Sequence, residues 1–469
     1  MIPVVELPEI VRHYTSWFAP VFSEEALVQF QRYVSGLIIS ENKTVEGINR
    51  LVVYESRNQS SLNRLLTESP YAECLLNQQR LALLASLPGT RLKPKGVLSV
   101  DDTHLVHYGK AFDEIAILWD PVTERYVPAH NLVNLHYSDD QTDYPIAYQL
   151  WKPANLAQIE NGLQSLGIKL RADKFSLKVS APDKWRQYLL GVWSRKQDIP
   201  GVTDLYESKL LIARRKIAQF VQAHPQLKLP VTFDNWYTQP GFCCYLDQEL
   251  NVPYVGTLAG DDEVIRQQGN ETLKDFARRL KADHLAALEV GKPPLFRQIT
   301  IRYKGAKETY YSYCRTRRIH NFGKQRLVIN YSKADLSDSP RFFNSNRLLW
   351  QAAGITRIRR HRWPVEVYHQ EGKAEGLDQY QVRDFRAISR HIGLVALTYS
   401  LLRAAPHDHD LLHKLQCQLK FNLDDSAPAF RRAASAQSLW SLASLIAAGL
   451  AQGHSLDQIL TPIVTTVYV

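Results

Sequence analysis

Cysteine is scarce in this chain, and long hydrophobic runs are missing. The five cysteines are an odd number and form no C-x-x-C pair, which argues against a disulfide framework and a structural zinc site. Residues 1–6 show no basic region ahead of an apolar run, so we expect no signal peptide. The apolar stretch Ile392–Leu402 is too short to span a bilayer, so we expect no membrane partner. These absences favour an intracellular, reducing location.

The composition is that of a globular protein with a nucleic-acid partner. The chain has 469 residues, 45% hydrophobic and 22% charged, which allows two to four domains and a sizeable core. The formal net charge of +10 favours a polyanion as partner. We find no internal repeats and no low-complexity segment.

Residues 1–95 show helical spacing of apolar residues. Two short helices are predicted in the second half of this region, the first capped by Thr44 and the second carrying Leu62, Leu65 and Leu66. A polar turn between them fits a helix-turn-helix. Its second helix would present side chains able to contact bases or phosphates: Asn58, Gln59, Ser61 and Arg64. A plain helical bundle with a polar face is the alternative.

Strand-forming segments begin near residue 96 and predict a mixed α/β fold. The run Val97–Val100 ends at Asp101 and Asp102, and a later run over 229–233 ends at Asp234. Further strands are predicted at 115–119, 130–137 and 145–150, followed by a long polar and basic region. Active sites of open α/β sheets gather at the carboxyl ends of strands, so we expect these aspartates to lie close together.

Residues 296–332 form a basic segment in which strand-forming residues, tyrosines and cations alternate. Glu308 is its only acid, whereas its cations include Arg315, Arg317 and Arg318. A basic, tyrosine-rich β-meander suits contact with a phosphate backbone. A solvated antiparallel sheet with a charged face is the alternative.

The segment Arg359–Lys373 predicts a helix beginning near Pro364. Arg362 precedes Glu366 by four residues and Lys373 follows it by seven, which places the three near one helical face. One interpretation is a solvated stripe of ion pairs. The other is a carboxylate that binds a metal while neighbouring cations bind phosphate. With Asp101 and Asp234, such a carboxylate would complete the oxygen donor set that a pair of magnesium ions needs.

These motifs resemble the DDE transposases of bacterial insertion sequences. The resemblance rests on Asp101-x-Thr103, on the strand leading into Asp234, and on the spacing of Arg362, Glu366 and Lys373. It is strongest for the branch with a tyrosine-arginine-glutamate-lysine motif and a β-rich insertion. The family's tyrosine is replaced by Arg359, which retains the capacity for a phosphate contact.

The resemblance implies a domain order. A helical DNA-binding domain would occupy 1–95, followed by a ribonuclease H-like core over 96–245 and 346–403. A β-rich insertion would interrupt the core at 246–345, and a helical C-terminal region would fill 404–469.

The resemblance also implies a function: metal-dependent cut-and-paste transposition by a bacterial cytoplasmic protein, associated with the nucleoid when bound to DNA. Asp101, Asp234 and Glu366 would bind two Mg²⁺, with Mn²⁺ able to substitute. Arg362, Lys373 and Arg359 would bind phosphates. The expected partners are double-stranded DNA, as transposon ends and target, and a second copy of the chain.

Several alternatives remain at this stage. Asp102 could replace Asp101 as the ligand, because adjacent strand residues point to opposite faces. Trp236 could stack on a base, although a core position beside the strand is the favoured interpretation. A ribonuclease H-like nuclease without strand transfer and a transposase-derived DNA-binding protein are competing functions. A glycosidase with paired carboxylates fits the basic charge poorly.

Overall fold

The computed structural model describes residues 2–54, 58–109, 111–267, 269–420, 422–424 and 426–468. It shows a mixed α/β fold with a large mixed sheet, as the sequence predicts. The N-terminal region contains α1 (Glu9–Phe18), α2 (Glu24–Ile39), α3 (Val45–Leu51), α4 (Gln59–Thr67) and α5 (Glu73–Ser86). The Thr44 hydroxyl accepts a hydrogen bond from the Gly47 amide and caps α3, as predicted.

Twelve strands of the described chain form one sheet. They are β1 (Val97–Val106), β2 (Ala116–Asp120), β3 (Arg125–Ser138), β4 (Asp143–Trp151), β5 (Val231–Phe233), β6 (Tyr254–Leu258), β7 (Glu263–Arg266), β8 (Gly269–Thr272), β9 (Arg297–Tyr303), β10 (Ala306–Ile319), β11 (Gly323–Tyr331) and β12 (Arg341–Ser345). Strands β4, β3 and β1 are antiparallel neighbours, and β5 and β6 then run parallel to β1.

The prediction that β1 ends at Asp101 is wrong. The strand continues to Val106 because its antiparallel pairing with β3 extends to the pair Val106 and Ala129. Asp101 therefore lies in the middle of β1. Asp234, in contrast, follows directly after β5, as predicted.

The basic β-rich segment extends the same sheet. Strand β12 pairs with β6 on one side and with β11 on the other, so the hydrogen-bond ladder continues from the first strands into the segment. Helix α11 (Leu273–Glu289) packs on one face of these strands, where Phe276 and Leu280 join a core with Ile329. Helix α12 (Ala352–Arg360) packs on the other face through Ile355 and Ile358.

The polar and basic region after β4 folds into helices, and these helices were not predicted from the sequence. They are α6 (Leu156–Ser165), α7 (Leu177–Ser180) and α8 (Pro182–Arg195). Trp185 and Trp193 are buried in a core of their own with Ile159, Leu163 and Leu189. Helix α9 (Lys209–Ala223) then leads to β5, and the short α10 (Pro240–Cys244) follows it.

Late helices join the N-terminal region to the sheet. They are α13 (Trp363–Ala374), α14 (Phe385–Ala404), α15 (His409–Leu419), α16 (Ala427–Ala451) and α17 (Leu456–Tyr468). One hydrophobic core runs from Val4 through α14 to Ala434, so the N-terminal helices and the sheet share it. Among the described helices, α16 alone is long and apolar enough to cross a membrane by length and composition. Its first half packs into this core through Phe430 and Ala434.

Candidate active site

Two adjacent parallel strands bring the predicted aspartates together. Val100 of β1 pairs with Phe233 of β5, and Asp101 and Asp234 each come one residue later. Residues at equivalent positions of paired strands face the same side of a sheet, so both carboxylates point to one face. The two carboxylates therefore meet near the carboxyl end of β5.

Helix α13 brings Glu366 and Arg362 to this face. Arg362 is the N-cap residue of α13, Pro364 occupies the first turn, and Glu366 follows four residues after Arg362. The Arg362 Nη1 atom donates to Asp101 Oδ2 at 2.5 Å, and its Nη2 atom donates to a Glu366 carboxylate oxygen. Arg362 thus joins two of the three predicted carboxylates through one guanidinium.

Asp101 lies in surroundings that disfavour its charged form. Burial raises its pKa to about 7, and the neighbouring Asp234 and Asp102 also raise it, whereas Arg362 acts in the opposite direction. A raised carboxylate pKa means that the site disfavours the charged form unless a cation joins it. The electrostatics at Asp101 therefore favour binding of a cation.

Asp102 lies on the other face of β1 and is fully engaged. Its Oδ2 accepts from Lys209 Nζ at 2.9 Å and from Asn131 Nδ2 at 2.5 Å, and its Oδ1 accepts from the Tyr237 hydroxyl at 2.9 Å. Burial alone would raise the pKa of Asp102, but Lys209 and these hydrogen bonds lower it overall. Both oxygens of Asp102 are occupied by donors of the chain itself.

Arg359 also points at the cluster. Its Nε donates to the Thr257 hydroxyl at 2.8 Å. Burial and the adjacent Arg362 lower its pKa to about 10, while Glu366, Asp234 and Asp101 raise it by attraction. Lys373 lies two turns beyond Glu366 on α13, where its charge acts on His104, His369 and Asp378. Of these two cations, Arg359 is therefore the one whose pKa responds to all three predicted carboxylates.

The donor set suits a hard divalent cation. Carboxylate oxygens are the ligands that magnesium prefers, and a bound cation would stabilise the charged form of Asp101, which burial disfavours. Within the described residues no three Asp, Glu, His or Cys side chains are grouped closely enough to enclose a metal ion. At this site the Arg362 guanidinium contacts both Asp101 and Glu366.

A cleft of about 1310 Å³ adjoins Glu366 and Arg362. Its walls come from α11, from the segment 336–343, and from α12 and the start of α13. The described lining contains more cations than acids. The acids are Glu308, Asp338 and Glu366, and the cations are Lys274, Arg278, Lys281, Arg341, Arg359, Arg360 and Arg362. The contribution of α11 and Arg341 to the cleft was not predicted from the sequence, because no local motif connects them with Glu366.

The basic meander does not present its arginines as one surface. Arg315 and Arg317 pair across β11 with Leu327 and Gln325, whereas Arg318 is one residue out of phase and points to the other face. None of the three belongs to the described lining of the cleft. In α4, Gln59 and Arg64 are exposed, Ser61 is half-buried, and Asn58 is exposed at the N-cap.

Trp236 is not a core residue, contrary to the favoured interpretation. Its side chain is 44% exposed, and Lys209 Nζ lies 4.6 Å from the centroid of its ring. Trp363, which lines the cleft, is 49% exposed. Trp363 thus offers an exposed ring in the cleft, whereas the partly exposed ring of Trp236 has Lys209 over it.

Comparison with known families agrees with the geometry. The chain matches the family described as DDE superfamily endonuclease over residues 18–281, more than half of its length. Asp101 and Asp234 lie inside the matched segment and Glu366 lies beyond it. No curated protein matches the chain significantly. The chain belongs to the DDE superfamily endonucleases, whose members act on nucleic acid and generally use divalent metals.

Proposed function

We propose that this protein is a DNA transposase of the insertion-sequence type that binds transposon ends, cleaves them and joins the 3′ ends to target DNA. The observation that carries the proposal is the meeting of Asp101 and Asp234 on adjacent parallel strands, beneath a helix that brings Glu366 and Arg362. A cation-lined cleft opens beside the same residues. Endonuclease family membership supports the cleavage half of the proposal.

The strand order supports a ribonuclease H-like core. Three antiparallel strands, β4, β3 and β1, are followed by β5 and β6 parallel to β1. Strands β7–β12 and α11 would be the β-rich insertion of the proposed branch, which would then start after β6 and not at residue 246, as the resemblance implied. In this assignment the insertion supplies a wall of the cleft as well as an extension of the sheet.

Asp101, Asp234 and Glu366 would hold two Mg²⁺, with Mn²⁺ able to substitute. The chemistry supplied there is activation of the attacking water and stabilisation of the leaving oxygen. The Asp101 side chain is only 13% exposed, and this partial shielding from water strengthens the interaction of its oxygens with a cation. Arg362 and Arg359 would hold phosphate oxygens beside the scissile bond, a task that suits the planar guanidinium. Lys373 would contact a phosphate further along the strand.

The cleft is the proposed path of the DNA strand that leads to the scissile phosphate. Arg341 and the cations of α11 lie along its walls, and Trp363 and Tyr310 offer aromatic surface for stacking. Arg315, Arg317 and Arg318 would contact DNA outside the cleft. Helix α4 would contact the transposon end through Asn58, Gln59, Ser61 and Arg64. Pairing of two ends requires at least a homodimer on DNA, and a bacterial cytoplasmic location follows from the proposal.

The test uses linear DNA that carries the element's own ends, incubated with the purified chain in Mg²⁺ or in EDTA. The proposal predicts metal-dependent nicks at the ends and joined products, both lost in Glu366→Gln. The matched control is Glu371→Gln, on the same helix, because Glu371 pairs with Arg403 instead of Arg362.

Each outcome separates the competing functions. Cleavage without joined products would overturn the transposase assignment in favour of a nuclease. Specific binding without cleavage in any divalent metal would overturn the assignment of the three carboxylates and leave a DNA-binding protein.

A further inference from the structure

One guanidinium occupies the space between two proposed metal ligands. Arg362 Nη1 lies 2.5 Å from Asp101 Oδ2, and Nη2 contacts Glu366. The Arg362 side chain is only 12% exposed, so the pairing is largely shielded from solvent screening. A cation that binds the two carboxylate oxygens now contacted by Arg362 must therefore displace this guanidinium.

The contact leaves Arg362 incompletely satisfied. Its Nε atom is buried and has no hydrogen-bond partner among the residues that the structure describes. The guanidinium of Arg359 also lies close enough to be affected by the charge of Arg362. A buried donor without a partner and a neighbouring like charge both reduce the net stabilisation from the pairing. Breaking the contacts of Arg362 with the two carboxylates consequently costs less free energy than breaking a fully hydrogen-bonded ion pair would.

The charge balance also requires an exchange. In the described site, Asp101, Asp234 and Glu366 face two guanidiniums, those of Arg359 and Arg362. Two divalent cations added to this arrangement would reverse the sign of the site. A phosphodiester offers Arg362 an alternative anionic partner that matches its two parallel donors.

We propose that Arg362 is an exchangeable counter-ion that holds Asp101 and Glu366 before DNA arrives and transfers to the scissile phosphate when DNA enters. The inference rests on the proposed function, since it requires these carboxylates to bind metal. Metal and DNA then bind cooperatively, and by linkage each raises the affinity of the other by the same factor. Cleavage is thereby confined to a site that already holds its phosphate.

The test measures metal affinity and does not depend on catalysis. Mn²⁺ is titrated by calorimetry into the full chain without DNA, as wild type and as Arg362→Gln. We expect the variant to bind Mn²⁺ more tightly by roughly 5- to 150-fold, the usual range for coupling between sites. The control Arg357→Gln removes a guanidinium of α12 that pairs with Asp140, and its Mn²⁺ affinity should match the wild type.

Addition of a DNA duplex carrying the ends completes the test. It should tighten Mn²⁺ binding by the wild type and change binding by Arg362→Gln much less. If Arg362→Gln does not fold, Arg362→Lys replaces it: the lysine retains the charge but cannot span both carboxylates, so we expect an intermediate affinity.

Two further variants separate the inference from the function on which it rests. If Asp101→Asn and Glu366→Gln weaken Mn²⁺ binding while the Arg362 variant matches the wild type, the counter-ion role is overturned and the metal site stands. If neither carboxylate variant changes Mn²⁺ binding, the metal site and the proposed function are both overturned.

Discussion

Asp101 and Asp102 are neighbours in β1, and their carboxylates meet opposite surroundings. Burial and nearby acids raise the pKa of Asp101, which has Arg362 as its ion-pair partner. Lys209, Asn131 and Tyr237 lower the pKa of Asp102 and occupy both of its oxygens. The difference shows that the partners on each face of the strand decide the role. One carboxylate is left short of positive charge, and the other stabilises the fold.

The largest contrast is expected for Asp101→Asn. Cleavage should fall by more than about 100-fold, beyond the usual loss for a residue that only supports a ligand. Stability should change little, because removal of a charge that burial disfavours offsets the loss of the ion pair with Arg362, which retains Glu366 as a partner. Nicking of end-containing DNA and thermal unfolding measure the two effects. Cleavage at the wild-type rate would contradict the assignment of Asp101.

Asp102→Asn should show the reverse. The free energy of unfolding should fall by about 1–3 kcal/mol, because the substitution leaves the Lys209 ammonium without its carboxylate partner. Cleavage should fall by less than about 100-fold. Denaturant unfolding beside the same nicking assay measures both. A loss of cleavage with unchanged stability would make Asp102 the ligand and reverse the comparison.

The Lys209–Asp102 pair can be isolated by a double-mutant cycle. Lys209→Gln, Asp102→Asn and the double variant should give a coupling energy of roughly 0.5–3 kcal/mol, because the two atoms lie 2.9 Å apart and are mostly shielded. Denaturant unfolding of all four proteins provides the value. Additive effects of the two substitutions would show that the ion pair between Lys209 and Asp102 does not contribute to stability.

The smallest effect is expected for Tyr237→Phe. The substitution deletes one hydrogen bond to Asp102 and should cost about 0.5–1.5 kcal/mol in thermal unfolding. Tyr126→Phe, at an exposed site in β3, is the matched control and should leave stability unchanged. Equal stability of both variants would remove Tyr237 from the account of Asp102.

The sequence predicted the parts of this site that depend on short-range pattern. The apolar run into Asp234 and the spacing of Arg362 and Glu366 are local, and the structure contains both as a strand and a helix. The contact between Arg362 and Glu366 also follows from a separation of four residues.

Long-range pairing explains what the sequence did not predict. Strand β1 passes beyond Asp101 because β3 continues alongside it, and no residue near Asp101 announces that pairing. Lys209 lies 107 residues from Asp102 in the chain, and the helices between β4 and α9 form a compact unit between them. Trp185 and Trp193 form that unit's core, although their segment is polar overall. Arg341 and α11 reach the cleft only because β12 pairs with β6.

The most direct measurement is the position of Mn²⁺, by anomalous X-ray scattering, in crystals of the full chain bound to DNA ends. We predict Mn²⁺ within coordination distance of Asp101, Asp234 and Glu366. Arg362 should then lie on a phosphate, and Asp102 should remain bound to Lys209. Mn²⁺ on Asp102 with Lys209 displaced, or Mn²⁺ away from all three carboxylates, would contradict the account.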